Sequence, residues 1–203
     1  MTSQKLSSLS AKLAGAALLA LLLTVTPKAH AAREVGGVRF EDQLKLGDQS
    51  LVLNGAGLRV KMIIKVYAVG LYVPRRDSSV VSLLNQPGPK SLRIVLLRNV
   101  SAEQLADNLL AGIEDNVSPA EQAVLRKRMD TLRSTMLNAG DAQRGAVIQL
   151  DYMPGQGTHI TFGGKALGQD IVGEDFYRAL LKIWLGEHPS DNALKRDLMG
   201  VVS

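Results

Sequence analysis

Four polar side chains recur along one stretch of the sequence in which most other residues are apolar. Residues 53–73 read LNGAGLRVKMIIKVYAVGLYV, and within them Arg59, Lys61, Lys65 and Tyr67 are separated by even numbers of residues. An even spacing places side chains on the same face of an extended strand. A guanidinium and a phenol on one face would donate hydrogen bonds to an anion or a carbonyl oxygen. The lysine stems are long enough to carry their amino groups to solvent, so we expect Arg59 and Tyr67 to perform the chemistry.

Arg59 has two interpretations. A guanidinium stays charged, and burying it without a partner is costly. In the first interpretation, Arg59 lies at the edge of the strand and pairs with an acid, for which Glu41, Asp48 and Asp151 are candidates. In the second, it receives an anion or oxyanion at the mouth of an apolar pocket, into which Tyr67 also points. The sequence pattern by itself leaves both open.

Other common chemistries lack the residues they need. The chain has no cysteine, and after residue 31 its only histidines are His159 and His188, which do not have the spacing of metal ligands. We therefore expect no metal site and no cofactor. No G-x-S-x-G motif indicates a serine hydrolase. Gly55-Ala-Gly57 matches the start of a dinucleotide-binding motif, but Val60 stands in place of its third glycine and a strand follows, which excludes a Rossmann site.

The first 31 residues are typical of a secretory signal peptide. Two lysines precede the apolar run 13–23, and Ala29-His30-Ala31 has the small-x-small pattern of a cleavage site. The run is short for a membrane span, which needs about 20 residues, so an uncleaved anchor is the less favoured alternative. We predict cleavage after Ala31, a periplasmic or secreted location, and no stable membrane span in the mature chain.

The mature chain, residues 32–203, suits a single domain with a sizeable core. The predicted signal peptide holds three lysines and no acid, so its removal lowers the net charge from +5 to +2, and no nucleic-acid partner is indicated. The basic run Arg126-Lys127-Arg128 falls on a predicted helix and is expected to form a solvated face. Because the chain has no cysteine, its fold depends on the hydrophobic core and not on disulfides. We expect the protein to be a monomer.

The order of predicted elements is strands, two helices, strands and two more helices, which is typical of the α+β class. Alternating apolar residues and turn signals predict strands at 38–40, 43–53 (a hairpin around Gly47-Asp48), 57–73, 91–97, 146–152 and 158–163, with a short further strand within 165–170. Apolar periodicity and capping signals predict helices after Ser101, after Ser118 and ending at Gly140, over 176–186, and over 193–199.

Two motifs in this order resemble the chalcone isomerase family. The segment Gly55-Ala-Gly-Leu-Arg59 followed by 64–72 resembles a G-A-G-x-R turn before a strand in the plant enzymes, and 185–188 with 194–198 resembles their I-G-E-H and L-K-R-S-L tail. The segment 175–186 is similar to the bacterial secreted chalcone-isomerase-like branch. Together the similarity spans about residues 34–200.

The resemblance implies an open-faced β-sandwich, in which a large antiparallel sheet carries helices on one face and a ligand lies between them. Members of the family close a chalcone to a flavanone by adding a phenolate to an enone. Relatives without this activity bind fatty acids in the same cleft, with an arginine receiving the carboxylate. Arg59 stands at the position of that arginine, and its planar fork suits either a carboxylate or a developing enolate.

The other positions that the resemblance assigns to the site match in part. Asn108 matches an asparagine of the family. Tyr67 stands where a threonine positions the carbonyl, and Ser101 lies near the place of an active-site tyrosine. Ile183 and Trp184 replace a threonine–methionine pair that lines the phenol end of the cleft. The loss of polar groups favours ligand binding over flavonoid chemistry.

Three functions therefore remain open. The leading hypothesis is a periplasmic protein that binds a small amphipathic anion, a fatty acid or a phenolic compound, in an apolar cleft headed by Arg59. The second is an active isomerase, an intramolecular lyase in which Arg59 and Tyr67 are catalytic. The third is an envelope interaction module without a ligand, whose cleft would be filled by core side chains and whose Arg59 would be salt-bridged.

Overall fold

Seven of the nine described strands form one antiparallel sheet, and the other two form a separate hairpin. The computed structural model describes residues 32–201, so the predicted signal peptide lies outside the described residues. The strands are β1 Ala32–Val35, β2 Val38–Glu41, β3 Gln43–Leu46, β4 Gln49–Lys61, β5 Ile64–Val73, β6 Lys90–Leu96, β7 Val147–Met153, β8 Gly157–Phe162 and β9 Lys165–Ala166. The helices are α1 Val80–Asn85, α2 Ala102–Glu114, α3 Pro119–Ala139, α4 Glu174–Leu185 and α5 Asn192–Leu198.

The sheet runs in the order β3-β4-β5-β6-β7-β8-β9, with every neighbouring pair antiparallel. Its inner face carries the main core, where strand residues such as Leu71, Leu92 and Leu150 pack with α2, α3, α4 and α5. Its outer face is covered in part by the β1–β2 hairpin, whose Phe40 packs with Leu51 and with other residues of β4 and β5. This arrangement confirms the predicted α+β class and the antiparallel sheet with helices on one face.

The predicted single strand over 57–73 is wrong, because the chain reverses in its middle. β4 ends at Lys61, Met62 and Ile63 form a two-residue turn, and β5 returns from Ile64. Sequence reasoning missed the turn since neither of its residues is a usual turn former, and Met62 adopts the left-handed backbone with φ of 58°. Two adjacent antiparallel strands therefore replace one long strand.

The two glycines before Arg59 lie inside β4 and not in a bend. A side chain at Gly55 would overlap the backbone of α5, whose Leu198 carbonyl oxygen would lie 2.7 Å from the added Cβ. At Gly57 the added Cβ would lie 2.6 Å from the Cβ of Asp197. The glycines thus let α5 pack directly on the inner face of β4. The turn that the family resemblance implies for Gly55-Ala-Gly-Leu-Arg59 is therefore wrong, because these residues continue the strand.

Helix caps predicted from sequence are present. Ser118 and Glu121 form the reciprocal capping box of α3, with hydrogen bonds of 3.2 and 2.8 Å. Ser101 accepts a hydrogen bond from the Gln104 backbone at the start of α2. In contrast, Arg128 does not belong to the expected solvated face. Its guanidinium donates to both carboxylate oxygens of Asp175 at 2.6 and 2.7 Å, and this ion pair joins α3 to α4. Strand β1 and helix α1 were not predicted.

Candidate functional site

A cavity of about 660 Å³ opens between the inner face of the sheet and the helices. Apolar side chains of β5, β6 and β7 form its floor, and α2 with the end of α4 forms its roof. The apolar lining consists of Val66, Ile94, Leu96, Val100, Leu105, Leu109, Ala111, Ile148, Leu150, Ile183 and Trp184. Its size and apolar character are those of a small-molecule site.

Arg59 and Tyr67 lie at one end of this cavity as direct cross-strand partners. Residues opposite each other on antiparallel strands point to the same side, so the pairing brings both side chains to the inner face. The register shifts between Arg59 and Val60, which pair with Tyr67 and Lys65. Val66 therefore has no partner on β4 and forms a β-bulge. The expectation that both side chains share a face is confirmed, although by pairing across a hairpin and not by parity along one strand.

The Arg59 guanidinium is only partly engaged. Its Nη1 donates to the Val60 carbonyl oxygen at 2.9 Å and to Asp191 Oδ2 at 3.4 Å. Its Nε and Nη2 donate to no other described residue. The side chain is 24% exposed. Half of a planar fork that suits a carboxylate is therefore available at the end of the cavity.

Asp191 is the acid that pairs with Arg59, so the candidate partners named from sequence are wrong. Its Oδ1 caps α5 by accepting from the backbone N–H groups of Ala193 and Leu194, and its Oδ2 accepts from the Val60 backbone. Burial by itself raises the pKa of the Asp191 carboxyl, but these backbone donors together with Arg59 outweigh it and hold the pKa below its usual value. Asp191 is therefore an anion at neutral pH.

The predicted partners of Arg59 are occupied elsewhere. Glu41 pairs with Arg39 on the surface, and Asp151 lies buried with its carboxylate bonded by the Gln149 side chain. Asp48 lies in the β3–β4 turn, at the opposite end of β4 from Arg59. Asp191 was missed because it is 132 residues from Arg59 in the sequence. Its only local signal was its place as a capping residue before the last helix.

The Tyr67 hydroxyl is held by Trp184, whose indole Nε1 donates to it at 2.9 Å. Burial raises the pKa of Tyr67, and hydrogen bonding and the nearby Arg59 only partly oppose this effect. The phenol therefore stays protonated at neutral pH, and because its oxygen accepts from Trp184, its own proton can be donated to a neighbouring acceptor. Ser190 lies beside the same oxygen, and its buried hydroxyl has no hydrogen-bond partner among residues 32–201.

Of the six residues that sequence assigned to a ligand, five line the cavity. Arg59 and Tyr67 lie at its polar end and Ile183 and Trp184 in its roof, while Asn108 is on α2 with its side-chain nitrogen bonded to the Gln104 carbonyl at 2.6 Å. The sixth, Ser101, is not part of the lining; its hydroxyl caps α2. Its small side chain, in place of a tyrosine, does not extend to the cleft.

Charged side chains and one histidine lie at the mouth of the cavity. The lining there includes Lys61, Arg98, Asp115 and His188, all of which are exposed. His188 was expected to be structural or exposed, and its position at the mouth was not anticipated from sequence. The other histidine, His159, pairs with Asp170 at 2.7 Å on the far side of the sheet. Within residues 32–201, no group of three or more potential ligand side chains gathers to hold a metal ion.

An antiparallel sheet with helices on one face, and a mainly apolar cleft between them that Arg59 and Tyr67 also line, defines the class of open-faced sandwiches with an internal small-molecule site. The chain belongs to the chalcone isomerase-like family, whose model matches residues 32–200. The resemblance inferred from the two sequence motifs is confirmed.

A solved structure with the same fold is that of a fatty-acid binding protein of Arabidopsis thaliana. It aligns with a TM-score of 0.63 and 17% identity, covering 80% of this chain and 92% of that one. At this identity the likeness concerns the fold. A search of curated proteins found no significant match. None of the helices within residues 32–201 combines the length and apolarity needed to cross a membrane.

Proposed function

We propose that this protein binds a small amphipathic anion, with its apolar body in the cavity and its carboxylate or phenolate at Arg59. The observation that carries the proposal is the polarity of the cavity. Its floor and roof are mainly apolar, whereas Arg59 and Tyr67 place a partly engaged guanidinium and a phenol donor side by side. An apolar cleft with convergent donors at one end fits a ligand that has a single anionic head.

The two donors suit such a head in complementary ways. Arg59 offers Nε and Nη2, which match the two oxygens of a carboxylate. Tyr67 adds a neutral O–H donor whose orientation is fixed by the Trp184 indole. The name of the structurally similar plant protein states that it binds fatty acids, which supports the same class of ligand for this chain.

The residues at the far end of the cleft favour ligand binding over enone cyclisation, because they offer no unused polar group. The resemblance to the enzymes places Ile183 and Trp184 at the end of the cleft that would hold the substrate phenol. Ile183 has no polar group, and the single donor of Trp184 is bonded to Tyr67. The interaction-module hypothesis predicted a filled cleft and a salt-bridged Arg59; the ion pair with Asp191 is present, but the cavity is not filled.

An Ala111→Trp variant tests whether the cavity holds the ligand. Ala111 is an exposed residue of α2 that lines the cavity, so an indole there occupies the space without disturbing the main core. We expect the affinity for a long-chain fatty acid, measured by isothermal titration calorimetry, to fall by about tenfold or more, which corresponds to about 1.4 kcal/mol.

The matched control is Ala123→Trp, an exposed alanine of α3 that lies outside the cavity lining. It should bind as the wild type does. Equal affinity in all three proteins, or no fatty-acid binding by the wild type, would contradict the proposal. The methyl ester of the same acid should bind more weakly than the acid, because it cannot use the guanidinium.

An Asp191→Asn variant is expected to bind the anion more tightly than the wild type. The Asp191 carboxylate offsets the charge of Arg59, and asparagine removes that charge while its side-chain oxygen still caps α5. We expect a gain of about tenfold in affinity for the acid, or about 1.4 kcal/mol, and no gain for the methyl ester.

The same variant should be less stable by about 1–2 kcal/mol, because the Val60 N–H and Arg59 lose an acceptor. The pKa of Asp191 is depressed in the folded state, so its contribution is present above about pH 4 and declines as the pH falls further. Urea unfolding at several pH values measures this difference. The control is Asp175→Asn, which removes the acid paired with Arg128 and should lower stability but leave affinity for the acid unchanged. An equal gain in affinity in this control would disprove the proposed competition between Asp191 and the ligand for Arg59.

We also propose that the protein acts in the periplasm after cleavage behind Ala31. The support is the cleavage pattern in the sequence and the family match, which begins at residue 32. Mass spectrometry of the protein released by osmotic shock should give a mature N-terminus at Ala32, whereas an intact N-terminus in the membrane fraction would refute cleavage.

A further inference from the structure

The tip of the β4–β5 hairpin exposes three consecutive apolar residues. Met62 is 92% exposed and Ile63 is 93% exposed, and Ile64 follows at 48%. The other large apolar side chains that are exposed in the described part of the chain stand apart from one another in sequence and are less exposed than Met62 and Ile63. A contiguous exposed apolar cluster of this kind marks an interaction surface.

Neither packing nor local backbone preference explains an apolar residue at this tip. Met62 is the only non-glycine residue with a positive φ among residues 32–201. In a two-residue hairpin turn whose first central residue is left-handed, glycine is the usual choice. The chain therefore keeps a long apolar side chain in a position where it is conformationally unfavourable and makes no core contact.

Basic residues surround the tip. Lys61 and Lys65 flank it directly, and the antiparallel registers bring Arg98, Arg144 and Lys165 to the same end of the sheet. None of the five forms an ion pair with a carboxylate of residues 32–201. Three acids, Glu103 and Asp141 at the start of α2 and Asp115 at the cavity mouth, lie on this side, while Asp191 is paired with Arg59. The end of the sheet is thus net positive.

The tip also borders the opening of the cavity. Lys61 and Arg98, which belong to this basic end, line the cavity mouth. A surface that covers the tip would therefore lie beside the route by which an apolar ligand enters or leaves.

We propose that the hairpin tip docks on a lipid bilayer that carries anionic headgroups. The Met62 and Ile63 side chains insert between the lipids, Lys61 and Lys65 contact the headgroups, and the cavity mouth faces the membrane. Apolar side chains flanked by cations are the combination that binds the interface of an anionic membrane. The proposal is independent of the ligand, since it rests on the exposed tip and its charges.

A single-cysteine variant reports insertion directly, because the chain has no cysteine of its own. Ile63→Cys, labelled with an environment-sensitive dye, is mixed with phosphatidylcholine vesicles that do or do not contain phosphatidylglycerol. The chain used begins at Ala32, which retains every described element, since the apolar run 13–23 would itself bind lipid. We expect a blue shift of the dye emission on the anionic vesicles, and none for Val124→Cys, whose parent residue is 70% exposed on α3.

Unlabelled variants separate the two contributions in a vesicle sedimentation assay. Met62→Ser/Ile63→Ser should reduce binding to anionic vesicles by about tenfold or more. Lys61→Gln/Lys65→Gln should reduce it by about fivefold for each lysine, with the loss diminished at high salt.

Three outcomes would overturn the proposal. The first is no binding of the wild type to anionic vesicles, and the second is an equal dye shift at positions 63 and 124. The third is a concentration-dependent dimer that the double serine variant abolishes, which would assign the tip to contact between two copies of the chain.

Discussion

An Arg59→Ala variant is expected to lose the retention of an anionic acyl ligand almost completely. The substitution removes the only guanidinium at the polar end of the cavity within the described residues and leaves the ligand head with the Tyr67 phenol alone. Truncating one partner of a buried, hydrogen-bonded charge pair costs about 2–5 kcal/mol, so affinity should fall by about 30-fold or more. Calorimetric titration with a fatty acid measures the loss, and native mass spectrometry of protein purified from its own cells would show whether the bound molecule disappears.

Three controls make this result specific. Binding of the methyl ester should change little, because it makes no use of the charge. Arg59→Lys should retain part of the affinity, since an ammonium lacks the planar fork. Arg59→Ala leaves Asp191 without its counter-charge, so Arg59→Met/Asp191→Asn serves as a variant in which neither charge remains. Wild-type affinity in a folded Arg59 variant would remove the arginine from the proposed site.

A Gly55→Ala variant is expected to be strongly destabilised. The new methyl group would overlap the backbone carbonyl groups of Asp197 and Leu198, which cannot move without displacing α5 from β4. Overpacking against backbone should lower the free energy of unfolding by about 3 kcal/mol. For a domain of this size we expect a fall in Tm of about 6–12 °C in a thermal scan.

The displacement of α5 should also disturb the ligand site, since Asp191, which caps α5, pairs with Arg59. Ser50→Ala, at an exposed position of the same strand, should change stability by no more than about 0.5 kcal/mol. If Gly55→Ala unfolds like the wild type, α5 does not pack on the glycines as closely as described.

Local patterns predicted most of the elements but not the reversal at Met62–Ile63. Alternation along 57–73 is continuous in sequence, and a turn made of two apolar residues leaves no interruption in it. The pairing of β4 with β5 along the whole hairpin stabilises the turn, and this pairing leaves no signal in the local sequence pattern. Arg59 and Tyr67 were nevertheless placed on one face, because a two-residue hairpin and its bulge keep residues of equal parity on the same side.

The cleft was predictable where it depends on residues along β5, α2 and α4, and not where it depends on the last loop. Tyr67 was identified from its spacing relative to Arg59, and Asn108 and Trp184 were identified through the family resemblance. Ser190 and Asp191 were missed, because a contact across 132 residues has no local signature. Ser101 was assigned to the ligand by its place in the chain, yet the first turn of α2 needs its hydroxyl for a backbone N–H.

The pairing of β4 with α5 also has a consequence for the order in which the molecule assembles. The contact between Arg59 and Asp191 closes a loop of more than a hundred residues, and α5 follows every other described element along the chain. Closing so long a loop is entropically costly until the sheet between its ends has formed. The strands and the roof of the cleft are therefore synthesised before Asp191, and the electrostatic setting of Arg59 is complete only after α5 has docked.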